Sequence, residues 1–188
     1  MKMKNPWLNW HVYKSIAGLS SRCGELCSLR FTWQRPKKNA SGETEFLEVS
    51  LVQYLHLAQE LAGSPLVELY INKRSGANNL FALAEFENQV VAEFEMNETM
   101  PDTIPDTFFI KANFTGGHVT NQPLAAYFNE PGSILASDDE LQQFTVFADT
   151  PVTGGIVETL MARCEVLGTP EMNGGEKLLE AVRKAVQR

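Results

Sequence analysis

Four stretches of the chain carry apolar residues at the spacing of an amphipathic helix. They are residues 7–19, 46–62, 155–167 and 175–186. Each of the first three is followed by a glycine, at Gly24, Gly63 and Gly168. Glycine is the residue that most often ends a helix, so these positions set the expected boundaries.

Elsewhere the pattern has a period of two, which predicts strands. Residues 25–34 are the clearest case, because Cys27, Leu29, Phe31 and Trp33 lie on one side. Glu87-Asn88 separates two such runs and predicts the turn of a hairpin. Further strands are predicted at residues 66–73, 80–86, 90–96, 107–114, 118–121, 133–136 and 144–148.

The order of these elements predicts an α+β fold in a single domain, residues 1–188. Many strands in succession favour hairpins, and therefore an open, mainly antiparallel β-sheet. The helices are expected to pack on one face of that sheet. Several strands are apolar on both sides, as at Val90-Val91 and Phe108-Phe109. We therefore expect the other face to be available for oligomerisation, with a homodimer through the open sheet face as the simplest arrangement.

The amino-acid composition argues against several kinds of partner and site. A net charge of −7 disfavours nucleic acid and an anionic membrane surface as partners, and no apolar run is long enough to cross a membrane. Three cysteines with no Cys-x-x-Cys pair argue against a disulfide framework and against a zinc site. We expect a cytoplasmic protein that binds no metal.

Residues with the chemistry of a catalytic site are few. Three glycine pairs begin at Gly116, Gly154 and Gly174, and none has the spacing of a phosphate-binding loop, so turns and helix starts are expected there. His118 has no orienting carboxylate nearby in the sequence, and a structural or solvent-facing role is expected for it. No catalytic residue is predicted.

The succession of segments resembles a known family. Gly24-Glu25-Leu26 leads into a strand that ends in Trp33-Gln34-Arg35, and a helix with a Gly-Ser-Pro stop follows. A strand hairpin over residues 80–96 and a final helix after Asn173-Gly174-Gly175 complete the order. From about Trp7 to its end, the chain resembles the C-terminal domain of the Gfo/Idh/MocA oxidoreductases, the group of glucose-fructose oxidoreductase and inositol dehydrogenase.

The resemblance implies a sheet of the kind described above, and it also implies what this sequence lacks. Family members have an N-terminal Rossmann domain that binds NAD or NADP and supplies a catalytic lysine, and the sequence has no counterpart of that domain. The family's Asp-x-x-x-His motif falls on Val49 and Gln53, which cannot transfer a proton. This chain is therefore expected not to be a self-sufficient enzyme, and to bind NAD(P) only if a separate Rossmann-domain chain exists.

The sequence thus favours a non-catalytic, stand-alone homologue that oligomerises and binds a sugar-like ligand or a partner protein. By the same resemblance, Gln53, Lys111, Asn113 and His118 are the candidate ligand-binding residues, with simple surface polarity as the alternative. Two other interpretations stay open. The chain is the substrate-binding half of a split or truncated NAD(P)-dependent sugar or polyol oxidoreductase, or it is a fragment of a longer product.

Overall fold

The computed structural model describes residues 3–37, 40, 44–73, 78–103, 107–121, 134–138, 142–145 and 165–186. A short 3-10 helix, Pro6–Asn9, precedes the first α-helix. The described α-helices are α1 (His11–Cys23), α2 (Thr44–Ala62) and α3 (Gly175–Val186). The described strands are β1 (Leu26–Pro36), β2 (Leu66–Asn72), β3 (Asn79–Phe86), β4 (Val91–Met100), β5 (Thr107–Phe114), β6 (Gly117–Thr120), β7 (Ile134–Asp138) and β8 (Gln142–Thr145).

These strands form one sheet in the order β2-β3-β4-β1-β5-β6-β7-β8. Strands β1 and β4 lie side by side in parallel, and all other neighbouring pairs are antiparallel. The parallel pair arises because α2 and the hairpin β2-β3 together carry the chain across before β4 returns to β1. An open, mainly antiparallel sheet is therefore confirmed, with one parallel contact at its centre.

The two faces of the sheet differ sharply in burial. In β3, β4 and β5 every second residue is buried, as expected for strands that are covered on one side only. Helix α1 lies against β5, β6 and β7, α2 lies against β1, β3 and β4, and α3 packs on α2 and β2. The helices thus cover one face, as the sequence predicts, and the opposite face is called the open face below.

Aromatic side chains join the N-terminal segment to the core. Trp7 contacts Trp10, Tyr54 and Phe108, with ring centres 4.9–5.9 Å apart. Trp10 stacks on Phe108 at 4.6 Å, and both tryptophans are buried. Rings at these separations add attraction beyond the area that they bury. The segment before α1 is therefore part of the core.

The start of the first helix was predicted wrongly. The apolar spacing places it at Trp7, but α1 begins at His11. The chain enters at Pro6 in a 3-10 turn, where the Asn5 side chain accepts a hydrogen bond from the Trp7 backbone, and Trp10 is extended. Apolar periodicity cannot distinguish this turn from the first turn of the helix, because both bury the same tryptophans. The predicted end is correct, with Gly24 at the C-cap.

Gly24 connects α1 to β1 with a backbone conformation that only glycine adopts readily. Its φ is +86° and its ψ is −154°. A Cβ at this position would also collide with Oγ1 of Thr115, which accepts a hydrogen bond from the backbone N–H of Glu25. Glycine is therefore required at this connection for two separate reasons.

A buried ion pair ties β1 to β4 at the end of their parallel contact. The Arg35 guanidinium donates to Oε1 of Glu98 across 3.2 Å, and both side chains are almost fully buried. The guanidinium carbon also lies 5.5 Å from the ring centre of Trp33, within the range of a cation–π contact. Two charges are thus held on the side of the sheet that the helices cover.

Most other element boundaries agree with the sequence predictions. The hairpin turn at Glu87-Asn88 is confirmed, with the Gln89 N–H donating to the Phe86 carbonyl at 2.8 Å. The last strand was placed too late, since β8 is Gln142–Thr145 and most of residues 144–148 lie outside the described residues. Most of the helix predicted at residues 155–167 also lies outside them. No helix in the described part of the chain is long and apolar enough to cross a membrane.

Candidate functional site: the open face of the sheet

The open face consists of the side chains that alternate with the buried ones on β1 to β6. Two cross-strand contacts organise its centre, where β1 and β4 run in parallel. Nε of Arg30 donates to Oε2 of Glu93 at 2.6 Å, and the Gln34 amide donates to Oε1 of Glu95 at 3.1 Å. These contacts are exposed, and each therefore contributes little to stability. They do fix the side chains of both strands in one orientation.

Large apolar side chains lie on the same face over β2, β3 and β4. Tyr70 is 56% exposed, Phe81 40%, Val91 39% and Leu83 36%. A shallow hollow of about 240 Å³ lies among Tyr70, Leu83 and Val91, lined also by Glu68, Ala84 and Glu85. Four such residues on three adjacent strands form a continuous apolar patch, which marks an interaction site more often than single exposed residues do.

The sequence indicated this patch only in part. It pointed to Val90-Val91 and Phe108-Phe109, of which Val91 is exposed while Val90 and Phe108 are buried. Phe81 and Leu83 were missed, although they alternate with the buried residues of β3. A strand that is apolar on both sides is the signal that could have found them.

Three of the four predicted ligand-binding residues lie together on the open face. Lys111 and Asn113 are on β5, and Asn113 is directly opposite His118 of β6. The Asn113 amide donates to Oγ of Ser28 on β1 at 2.9 Å. Burial lowers the pKa of His118 from its usual 6.5, and the nearby Lys111 ammonium lowers it further. At neutral pH this group thus presents a cation beside a neutral imidazole and a carboxamide.

Gln53 does not belong to this group. It lies on α2, which packs on the other face of the sheet. Its amide is 3.5 Å from the Lys4 carbonyl, and its own backbone carbonyl accepts a hydrogen bond from the Asn5 side chain at 2.8 Å. The structure therefore places Gln53 under the N-terminal segment, a sheet's thickness away from the other three.

A polar cluster that was not predicted lies next to Gln53, although the i,i+4 spacing of His56 and Glu60 on a predicted helix indicates one of its contacts. Nδ1 of His56 is 3.4 Å from the Asn5 side-chain nitrogen, and its Nε2 is 3.8 Å from Glu60. Burial lowers the pKa of His56 from 6.5, and the carboxylate of Glu60 opposes that effect. Burial also raises the pKa of Tyr13 to about 12, with a further contribution from Glu60. These are the properties of a neutral, buried histidine that helps to seal the N-terminal segment.

The described residues show no arrangement suited to a metal or to a dinucleotide. No group of three or more His, Cys, Asp or Glu side chains among them is placed to hold a metal ion. Gly116-Gly117 connects two strands, and Gly174-Gly175 begins α3 after a turn, as predicted. Neither pair lies between a strand and a helix, the setting that binds a pyrophosphate. Gly154-Gly155 lies outside the described residues.

Comparison with solved structures places this fold among oxidoreductases. An oxidoreductase from Agrobacterium radiobacter, in complex with NAD+, L-tartaric acid and magnesium, matches 97% of this chain with a TM-score of 0.67 and 12% identity. An oxidoreductase from Sinorhizobium meliloti matches 97% with a TM-score of 0.66 and 11% identity. An inositol dehydrogenase homologue from Azotobacter vinelandii, complexed with NADH and myo-inositol, matches 97% with a TM-score of 0.64 and 12% identity.

This chain spans only about 60% of the length of those three proteins. No family model matches its sequence, and no curated protein matches it. The fold is therefore one that these oxidoreductases contain over about 60% of their length. The shared property is the architecture of an open sheet with helices on one face.

Proposed function

We propose that this chain is a non-catalytic homologue of an oxidoreductase C-terminal domain and that it forms a homodimer through its open face. The observation that carries the proposal is the patch of Tyr70, Phe81, Leu83 and Val91, which lies in water on a single subunit. Burying apolar area stabilises an interface by roughly 25 cal/mol for each Å² removed from water. A second subunit on this face would cover all four side chains at once.

The non-catalytic part of the proposal rests on α2. Where the resemblance expects an acid/base pair, Val49 is largely exposed and Gln53 contacts the backbone of Lys4. His56, one turn further along, is buried and contacts Asn5 rather than a cleft. None of these side chains is available to exchange a proton with a substrate at neutral pH.

The test is the oligomeric state of two matched variants. Val91→Lys puts a charge into the apolar patch, and Val49→Lys puts the same charge on α2 at a valine of similar exposure, 44% against 39%. Sedimentation equilibrium should show a dimer for the unmodified chain and for Val49→Lys, and a monomer for Val91→Lys. A monomeric unmodified chain, or equal behaviour of the two variants, would contradict the proposal.

One observation favours the alternative of a substrate-binding half in an NAD(P)-dependent sugar or polyol oxidoreductase. The fold matches enzymes whose structures contain NADH or NAD+, and Lys111, Asn113 and His118 form a polar group that could bind hydroxyl groups of a sugar-like ligand. In that case the dinucleotide-binding domain has to come from elsewhere.

Thermal unfolding with NADH and NADPH tests whether this chain binds the dinucleotide by itself. A ligand at a hundred times its Kd stabilises a protein by about 2.7 kcal/mol, which corresponds to roughly 5–11 °C for a domain of this size. We expect no shift for the chain alone. A clear shift would support the oxidoreductase and overturn the cofactor-free domain.

A further inference from the structure

The side chains of the open face form two rows that run across the strands. The first row is Glu68, Glu85, Val91, Ser28 and Asn113, and each residue is the direct cross-strand partner of the next. The second row is Tyr70, Leu83, Glu93, Arg30 and Lys111, with the same relation. The rows are two residues apart along each strand, which is about 7 Å.

Each row contains one pair of like charges in direct opposition. Glu68 of β2 faces Glu85 of β3, and Arg30 of β1 faces Lys111 of β5. Like charges opposite each other weaken a sheet. Glu93 balances Arg30 at 2.6 Å, but Lys111, Glu68 and Glu85 form no ion pair within the part of the chain that the structure describes. Among the described residues, the open face of one subunit thus has an acidic pair and a lysine that no opposite charge balances.

These charges cannot neutralise each other within one subunit. The acidic pair lies on β2 and β3, and the basic pair lies three strand positions further, on β1 and β5. At about 4.8 Å between strands, the separation is about 14 Å, more than a Debye length at physiological salt. A lysine side chain does not reach so far. Two opposite, unbalanced charges on one flat face are therefore left for another molecule.

From this pattern we infer the orientation of the homodimer, an inference that rests on the proposed function. The partner is a second copy whose strand order is reversed, so that β5 of each copy lies over β2 of the other and the Lys111 ammonium lies within reach of Glu68 and Glu85 there. Both contacts form at once, because a two-fold axis that runs along β4 relates the acidic side of one face to the basic side of the other.

The remaining residues of the two rows fit this orientation. A two-fold axis along the strands keeps each row over its equivalent, so Arg30 lies over Leu83 of the other copy and Lys111 lies over Tyr70. The aliphatic stem of Lys111 covers Tyr70 while its ammonium extends one row further to the carboxylates. Val91 and Glu93 of β4 then lie near the axis, each next to its own counterpart, and each Glu93 carboxylate keeps its own Arg30 at 2.6 Å. In the other orientation, with β2 of one copy over β2 of the other, Glu68 and Glu85 of both copies would lie together.

The test is an exchange of charge between two variants. Lys111→Glu places acid against acid in its own dimer, and Glu68→Lys with Glu85→Lys places base against base. Each variant alone should dimerise roughly tenfold to hundredfold more weakly than the unmodified chain, because facing like charges oppose association. Mixed together, they should form a heterodimer, since both of its contacts are then complementary. The triple variant should recover the homodimer for the same reason.

The outcomes separate this inference from the proposed function. A monomeric unmodified chain overturns both. An unmodified dimer that the charge variants leave unchanged, or two weakened variants that fail to pair on mixing, overturns the reversed orientation and leaves the open-face dimer standing. Circular dichroism of each variant serves as the folding control, and recovery in the triple variant shows that the substituted residues are tolerated.

Discussion

The ion pair of Arg35 and Glu98 joins the two central strands inside the core, and Glu98→Gln removes its negative charge while keeping the shape of the side chain. The Arg35 guanidinium then stays buried and loses the negative charge of Glu98. Removing one partner of a buried pair typically costs about 3–5 kcal/mol, because the other charge remains out of water. For a chain of this length, that corresponds to a fall in Tm of roughly 6–20 °C.

The structure offers a matched control on the same two strands. Arg30 and Glu93 also join β1 to β4, and their contact is shorter, at 2.6 Å, but it is exposed. Exposed pairs contribute about 0–1 kcal/mol, so Glu93→Gln should have little effect on stability. Burial, and not the length of the contact, therefore decides the difference between the two variants.

Urea unfolding followed by tryptophan fluorescence measures both effects, since Trp7, Trp10 and Trp33 are buried and report on the core. All variants are compared at one protein concentration, because dimerisation also stabilises the folded state. The double variant Arg35→Met with Glu98→Leu should recover most of the loss. Equal effects of Glu98→Gln and Glu93→Gln, or a double variant no better than Glu98→Gln, would refute this reasoning.

Three further predictions concern the core, a connection and pH. Trp7→Ala should cost about 3–5 kcal/mol in urea unfolding, because it removes a fully buried ring from the aromatic cluster. Gly24→Ala should lower Tm, and Thr115→Ala should restore only part of the loss in the double variant, since the strain at φ +86° persists. Stability should fall as pH drops below about 6.5, because the unfolded chain protonates His56 before the folded chain does. His56→Gln should flatten that fall in a pH series of unfolding curves, and an unchanged slope would exclude His56 as its source.

The sequence predicted the layers of this fold well because its signals are local. The alternation from Leu29 to Trp33 follows from a sheet that is covered on one side, and it needs no knowledge of the neighbouring strands. Cys27, which the pattern places on the same side, is exposed next to a register shift between Leu26 and Ser28. The same alternation placed Lys111 and Asn113 on one face, and a short glycine turn brought His118 beside them. For these residues the two-residue period of a strand was enough to predict that they share one face of the sheet.

What the sequence could not predict depends on contacts between distant segments. Arg30 and Glu93 are 63 residues apart, and no pattern within either strand indicates that β1 and β4 lie in parallel. The contact of Asn5 with His56 crosses 51 residues in the same way. Gln53 was grouped with the sheet residues by resemblance alone, and only the packing of α2 shows which face it occupies.

The parallel contact of β1 with β4 also sets an order for folding. Strand β1 is synthesised before both of its neighbours in the sheet, β4 and β5, which follow α2 and the hairpin β2-β3. Until β4 is made, the apolar side of β1 has no sheet to join. The pairing of β1 with β4 is also slow, because it closes a loop of more than 60 residues. The hairpin β3-β4, whose contacts are local, is the natural nucleus. A nascent chain that stalls before β4 should therefore expose Leu29, Phe31 and Trp33 and depend on chaperones.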